Sequence, residues 1–154
     1  TGAPVVAFCR IDDRPIRLRE PVMSPDAVII QDPTLLHQVD VFGGISPDGY
    51  IVINTSKTFE ELGLGEFVAG FRRERLCTVP ATELALKHVG RAVPNAALLA
   101  AFAAISSRIS LESVSAAIGQ KFPAKVAAAN VAAANVAYAW VLQQTQGAGR
   151  AEAG

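Results

Sequence analysis

Three short polar groups each follow an apolar, strand-like run in this 154-residue chain. They are Asp32-Pro33-Thr34 after "AVII", Asn54-Thr55-Ser56 within and after "YIVIN", and Pro80-Ala81-Thr82 at the end of "RLCTVP". Carboxylate, carboxamide and hydroxyl groups at strand ends can bind a ligand, and they also suit turns and helix caps. If the three strands are parallel, all three groups line one sheet edge. That is the carboxyl edge, where ligands and partners of open α/β sheets gather. Asp32 and Thr82 read first as helix caps and Asn54 as a turn residue, while Asn95, just after Pro94, can cap a helix of its own. Together, Asp32, Asn54, Thr55, Thr82 and Asn95 predict a polar docking edge rather than a reaction centre.

Patterns that would carry a reaction do not occur. The sequence has no P-loop, no G-x-S-x-G and no H-E-x-x-H. Gly63, Gly65 and Gly70 in "GLGEFVAG" follow helix signals and lack the strand–turn–helix setting of a dinucleotide fingerprint. Glu60-Glu61 and Arg72-Arg73 read as solvated charge, with an anionic ligand or partner as the second reading of the arginine pair. Cys9 and Cys77 are isolated, with no C-x-x-C, and read as two small buried thiols of a reducing compartment. Two cysteines cannot by themselves ligate a four-thiolate iron–sulfur cluster or zinc, and His37 and His88 are too scattered to complete a metal set.

Lys+Arg and Asp+Glu balance at 14 each, and no basic run occurs. This argues against nucleic acid, whose phosphates call for a concentrated cationic surface. With 51% apolar residues and no net charge to keep copies apart, the chain suits a protein partner. No secretory signal is present. The longest wholly apolar run, "AALLAAFAAI", falls short of the roughly 20 residues that span a bilayer, so the expectation is no membrane and a cytoplasmic location.

The elements that would position these groups can be read in order. "APVVAFCRID", the turn "DDRP" and "IRLR" predict a β-hairpin over residues 4–18. Three strand-then-helix cycles follow. "AVII" leads to a helix capped by Asp32 with Pro33 at its first position and Gly43-Gly44 at its end. "YIVIN" leads to a helix begun by Thr58 and Glu61 in capping-box spacing. "RLCTVP" leads to "ATELALKHVG", capped by Thr82 and stopped at Gly90. Repeated units of this kind predict an α/β, Rossmann-like parallel sheet with flanking helices. Beyond Pro94 the chain turns helical: "NAALLAAFAAIS", then "SLESVSAAIGQKF" capped by Ser110, then a long Ala-rich helix started by Pro123. Residues 1–144 are expected to form one domain and 145–154 a flexible tail.

The ordered segments "GAPVVAFCRIDDRPIRL", "DAVIIQDPTLL", "GYIVINTSK", "VPATELALKHVGRAVPN" and "SLESVSAAIGQKF" resemble the gamma subunit, or gamma domain, of 2-oxoacid:ferredoxin oxidoreductases. The pyruvate and branched-chain types are the nearest, and the resemblance runs from residue 2 to about Tyr138. The family's gamma domain places a strand, a Gly-rich turn and a helix before the "GAPV" stretch. This unit is not in the present sequence, so the resemblance implies the later part of the domain, its missing strand either supplied by another segment or left out of this sequence. It further implies an enzyme of anaerobic metabolism that splits its labour. Thiamine diphosphate with Mg2+ attacks the 2-oxoacid, and [4Fe–4S] clusters pass single electrons to ferredoxin. CoA takes the acyl group. The cofactors would sit on alpha-, beta- and delta-type partner subunits and none on this chain, which would build the interface and wall the CoA channel. Asp32 to Leu36, Asn54-Thr55, Pro80 to Glu83 and Pro94-Asn95 match the family pattern. Ala96 and Ala100 replace the family's usual Thr and Gly. Apart from the resemblance, a stand-alone Rossmann-like nucleotide-binding protein or an adaptor domain remains open.

Overall fold

Ala27–Ile30 (β1), Tyr50–Asn54 (β2) and Leu76–Val79 (β3) form a parallel sheet in the order β1-β2-β3, with Ala27 level with Tyr50 and Ile51 with Leu76. The computed structural model describes residues 3–152. β2 is central, and its Ile51, Val52 and Ile53 are wholly buried. A strand covered on both faces needs no polar alternation, which is why this run reads as continuously apolar. Ile30, Ile51, Ile53 and Leu76 pack on one face against Phe59 and Val68 of the β2–β3 crossover. Val52, Cys77 and Val79 pack on the other face, against the helices that follow β3.

Those helices are Ala81–His88 (α2), Asn95–Ser106 (α3), Leu111–Lys121 (α4) and Ala124–Glu152 (α5), while the crossover holds the single-turn helix Gly65–Val68 (α1). α5 lies along α3 and touches α2, α4 and β3. Small side chains at Ala133, Ala134 and Ala137 are buried there, so the two helix backbones can approach closely. By length and composition alone α5 would be apolar enough to cross a bilayer. Asn130 and Asn135 interrupt its apolar runs. Its buried stripe, including Asn130 bonded back to the Val126 carbonyl at 3.0 Å, faces protein, as in a core helix.

Four local expectations are corrected. The hairpin over residues 4–18 is not formed: no strand is present between residues 3 and 26, although the Arg14 N–H does bond the Asp12 carboxylate at 3.1 Å in the expected turn. Val5, Val6, Phe8 and Ile11 stay exposed, and strand propensity without a sheet to pack against does not hold a two-stranded ladder. The helix after Asp32 is a short 3₁₀ stretch, Pro33–His37, that ends well before Gly43. The Thr58–Glu61 capping box forms reciprocally, at 3.0 and 3.1 Å, yet turns follow it rather than a helix, because Gly63 takes φ +77°. α5 runs on to Glu152, so residues 145–152 of the expected tail are helical.

Candidate functional site

The parallel ladder brings the three strand-end groups to one edge, as their order requires. Asn54 is the residue that ties them together. It is the last residue of β2 and is 7% exposed. Its Nδ2 donates to the Gln31 carbonyl at 2.9 Å and to Thr82 Oγ1 at 2.8 Å, while its Oδ1 accepts from the Thr82 N–H at 3.2 Å. The start of α2 has no cap from its own Pro80, so a carboxamide from the neighbouring strand satisfies one of its free N–H groups. Thr82 is therefore not the cap expected from the sequence; it is the residue that is capped.

Gln31 extends the network and was missed from sequence. Its Nε2 donates to Asn95 Oδ1 at 3.2 Å, joining the end of β1 to the start of α3 across 64 positions of chain. Only its place beside Asp32 at a strand end could have flagged it. Asp32 caps its 3₁₀ stretch as expected: its carboxylate accepts from the Thr34 N–H at 3.0 Å and the Thr34 hydroxyl at 2.7 Å. The hydroxyl bond first, and then the N–H, hold that carboxyl below its ordinary pKa. Thr55 lengthens the ladder through its N–H to the Val79 carbonyl at 3.0 Å, and its hydroxyl accepts from the Lys57 N–H at 3.1 Å. Asn54, Thr82 and Asn95 thus share one hydrogen-bonded network through Gln31. Asp32 and Thr55 sit beside it, and their side chains bond only locally.

The edge divides into a buried brace and an exposed rim. Asn54 spends its carboxamide within the fold, whereas Gln31, Asp32 and Asn95 are exposed. Neutral amides and one carboxylate can align hydrogen-bonding groups of a partner. The arrangement holds no nucleophile paired with a base.

The other sequence candidates lie elsewhere. Arg73 pairs with Glu60 at 2.6 Å and Arg72 with Glu74 at 2.8 Å, both exposed. These four residues, with Val68 and Phe71, line an open hollow of about 480 Å³ that includes none of the five edge candidates. Cys77 is fully buried in β3, where desolvation pushes its thiol far up, while Cys9 is exposed, not buried as expected. Among the described residues no group of three or more His, Cys, Asp or Glu could hold a metal.

Comparisons with known proteins bear on this edge and its scaffold. The family model for pyruvate ferredoxin/flavodoxin oxidoreductase matches residues 1–140. The chain is 45% identical to pyruvate synthase subunit PorC of Methanosarcina barkeri over 76% of this chain and 61% of that protein. It is 42% identical to the PorC of Methanocaldococcus jannaschii over 93% of this chain and 75% of that protein. It is 38% identical to the pyruvate/ketoisovalerate oxidoreductases common subunit gamma of Pyrococcus abyssi over 84% and 68%. The chain thus spans about three fifths to three quarters of the length of these curated relatives. The crystal structure of pyruvate oxidoreductase subunit PORC from Thermotoga maritima matches at a TM-score of 0.62 and 31% identity, over 77% of this chain and 64% of that one. The parallel sheet, the order of its motifs and these matches agree: the chain belongs to the pyruvate ferredoxin/flavodoxin oxidoreductase family, among its gamma subunits.

Proposed function

We propose that this chain serves as the gamma component of a thiamine diphosphate-dependent 2-oxoacid:ferredoxin oxidoreductase, with pyruvate as the default substrate. The complex converts 2-oxoacid, CoA and oxidised acceptor to acyl-CoA, CO2 and reduced acceptor. The observation that carries the reading is the family match over residues 1–140. This chain's part is structural and positional: its carboxyl edge docks a partner subunit and lines the approach of CoA, and it places no catalytic residue. Thiamine diphosphate, Mg2+ and the [4Fe–4S] clusters belong to alpha-, beta- and delta-type subunits in the cytoplasm. The two thiols here do not suit a cluster, since one is exposed in residues 3–26 and the other is sealed in the sheet.

The exposed rim is the place to test this. Asn54 is a poor probe, because its carboxamide braces the fold. Asn95 and Asp32 are accessible and make few internal bonds. Asn95→Trp and Asp32→Arg should lower assembly with partner subunits or raise the KM for CoA in the assembled enzyme, with iron per assembled complex unchanged. Normal assembly and normal CoA dependence in both variants would take this edge out of the interface.

A further inference from the structure

The buried stripe of α5 ends at Val141. Ala127, Asn130, Ala133, Ala134, Ala137 and Val141 are buried at helical spacing, whereas no residue from Leu142 to Arg150 is. The same stretch carries Gly147 and Gly149, each with open space where a side chain would stand. A glycine inside a helix weakens it about fivefold relative to alanine, so these last turns hold themselves poorly.

One side chain ties them to the rest of the fold. Among the described residues from 142 to 150, Gln144 alone forms a side-chain hydrogen bond outside α5. Its Oε1 accepts from the Thr78 N–H at 3.1 Å, and its Nε2 donates to the Thr78 carbonyl at 3.2 Å and the Thr78 hydroxyl at 3.3 Å. Thr145 instead donates back to the Val141 and Leu142 carbonyls of its own helix, at 3.1 Å each. Trp140, one turn earlier, donates to the same Thr78 carbonyl at 3.2 Å. Without Gln144 that carbonyl keeps a partner, while the Thr78 N–H has none. A hollow of about 190 Å³ lies between the two walls, with Thr58, Glu60, Arg73 and Leu76 on one side and Thr145 and Ala148 on the other.

We infer that residues 142–152 are a hinged flap over this hollow, which unwinds beyond Val141 and is clasped shut by Gln144. Few buried contacts and a weak local helix mark a segment that opens apart from the rest of the molecule. It stands beyond residues 1–140, the part that matches the family model. Thr78 reports the opening. It belongs to a core strand and is 4% exposed, yet its N–H is bonded to the flap alone. Val79, whose carbonyl accepts from the Thr55 N–H at 3.0 Å, faces β2 instead.

Amide exchange on the full chain, followed residue by residue by NMR, tests the flap. In the unaltered chain the Thr78 amide should share the protection of the Thr145–Arg150 amides within about threefold and fall about tenfold or more below Val79. Gln144→Ala should lower both Thr78 and the flap about tenfold, as expected for losing a two-point hydrogen-bonded partner, with Ala133 to Val141 and Val79 unchanged. Gly147→Ala combined with Gly149→Ala should raise Thr78 and the flap together, about tenfold or more, because alanine favours the helix. This pair introduces methyl groups into open space, so it carries the test even if Gln144→Ala does not fold. A Thr78 amide as protected as Val79 would overturn the flap. So would protection that changes along the whole of α5, or in residues 145–150 without Thr78.

Discussion

Replacing Asn54 with alanine tests the structural side of the account most sharply. Its carboxamide makes three hydrogen bonds, at 2.9, 2.8 and 3.2 Å, from a site that is 7% exposed. Truncation leaves the Gln31 carbonyl and the Thr82 N–H without these partners and removes the side-chain cap of α2. At about 0.5–1.5 kcal/mol per bond, with a cap counted within that sum, the loss should be about 2–4 kcal/mol. Asn54→Asp keeps an oxygen for the Thr82 N–H but sets a second one against the Gln31 carbonyl. The favourable position of a carboxylate at a helix N-terminus offsets part of that repulsion, so the cost should be about 1–2 kcal/mol. Asn95→Ala is the control: it removes one exposed bond, at 3.2 Å, and should cost under about 0.5 kcal/mol. Urea unfolding followed by far-UV circular dichroism and by fluorescence of Trp140, the single tryptophan, reads all three. An Asn54→Ala chain within about 0.5 kcal/mol of the unaltered one would refute the brace, as would an equal loss from Asn95→Ala.

Three further outcomes follow from local chemistry. Gly44 has φ +79°, and a Cβ there would lie 2.0 Å from the Met23 carbonyl oxygen, so Gly44→Ala should cost about 3 kcal/mol or more. Gly63 has φ +77° but open space around it, so Gly63→Ala should cost only about 1 kcal/mol, and chemical denaturation of both variants checks the contrast. A disulfide reagent should label Cys9 quickly in the folded chain and Cys77 only after denaturation; two fast thiols would contradict the buried β3 core. The Asp32 carboxyl, held low by Thr34, favours the folded state above the unfolded aspartate pKa, and that contribution fades as pH falls through the lower folded value. Carbon-detected NMR titration should give a midpoint below that of an unstructured aspartate, rising in Thr34→Val, and an unmoved midpoint would remove the hydroxyl as its cause.

What the sequence made legible was the part written in local pattern. The runs "AVII", "YIVIN" and "LCTV" announced parallel strands, of which the second and third are buried while Ile29 of β1 is exposed; Pro33 and Ser110 marked true starts, and the order of strands placed Asp32, Asn54 and Thr82 at one edge. Local pattern failed where a distant partner decides. The "APVVAFCRID" and "IRLR" segments have strand composition but no ladder, because pairing depends on a sheet to receive them. Gln31 bonds to Asn95 and Gln144 to the Thr78 backbone across 64 and 66 positions, which no spacing rule reveals. Thr82 looked like a cap because of its type and place, and only the fold shows Asn54 reaching over to it. The capping box of Thr58 and Glu61 was read correctly, while the helix inferred from it yielded to a glycine five residues on.

The central claim is that this chain works only as part of a larger 2-oxoacid oxidoreductase. The most direct measurement is to isolate it from its native source without oxygen, identify what co-purifies, and assay CoA-dependent reduction of a viologen dye with a panel of 2-oxoacids. The account predicts brown, cluster-bearing partner subunits and activity that requires CoA, with pyruvate preferred. A lone, colourless and inactive chain would contradict it.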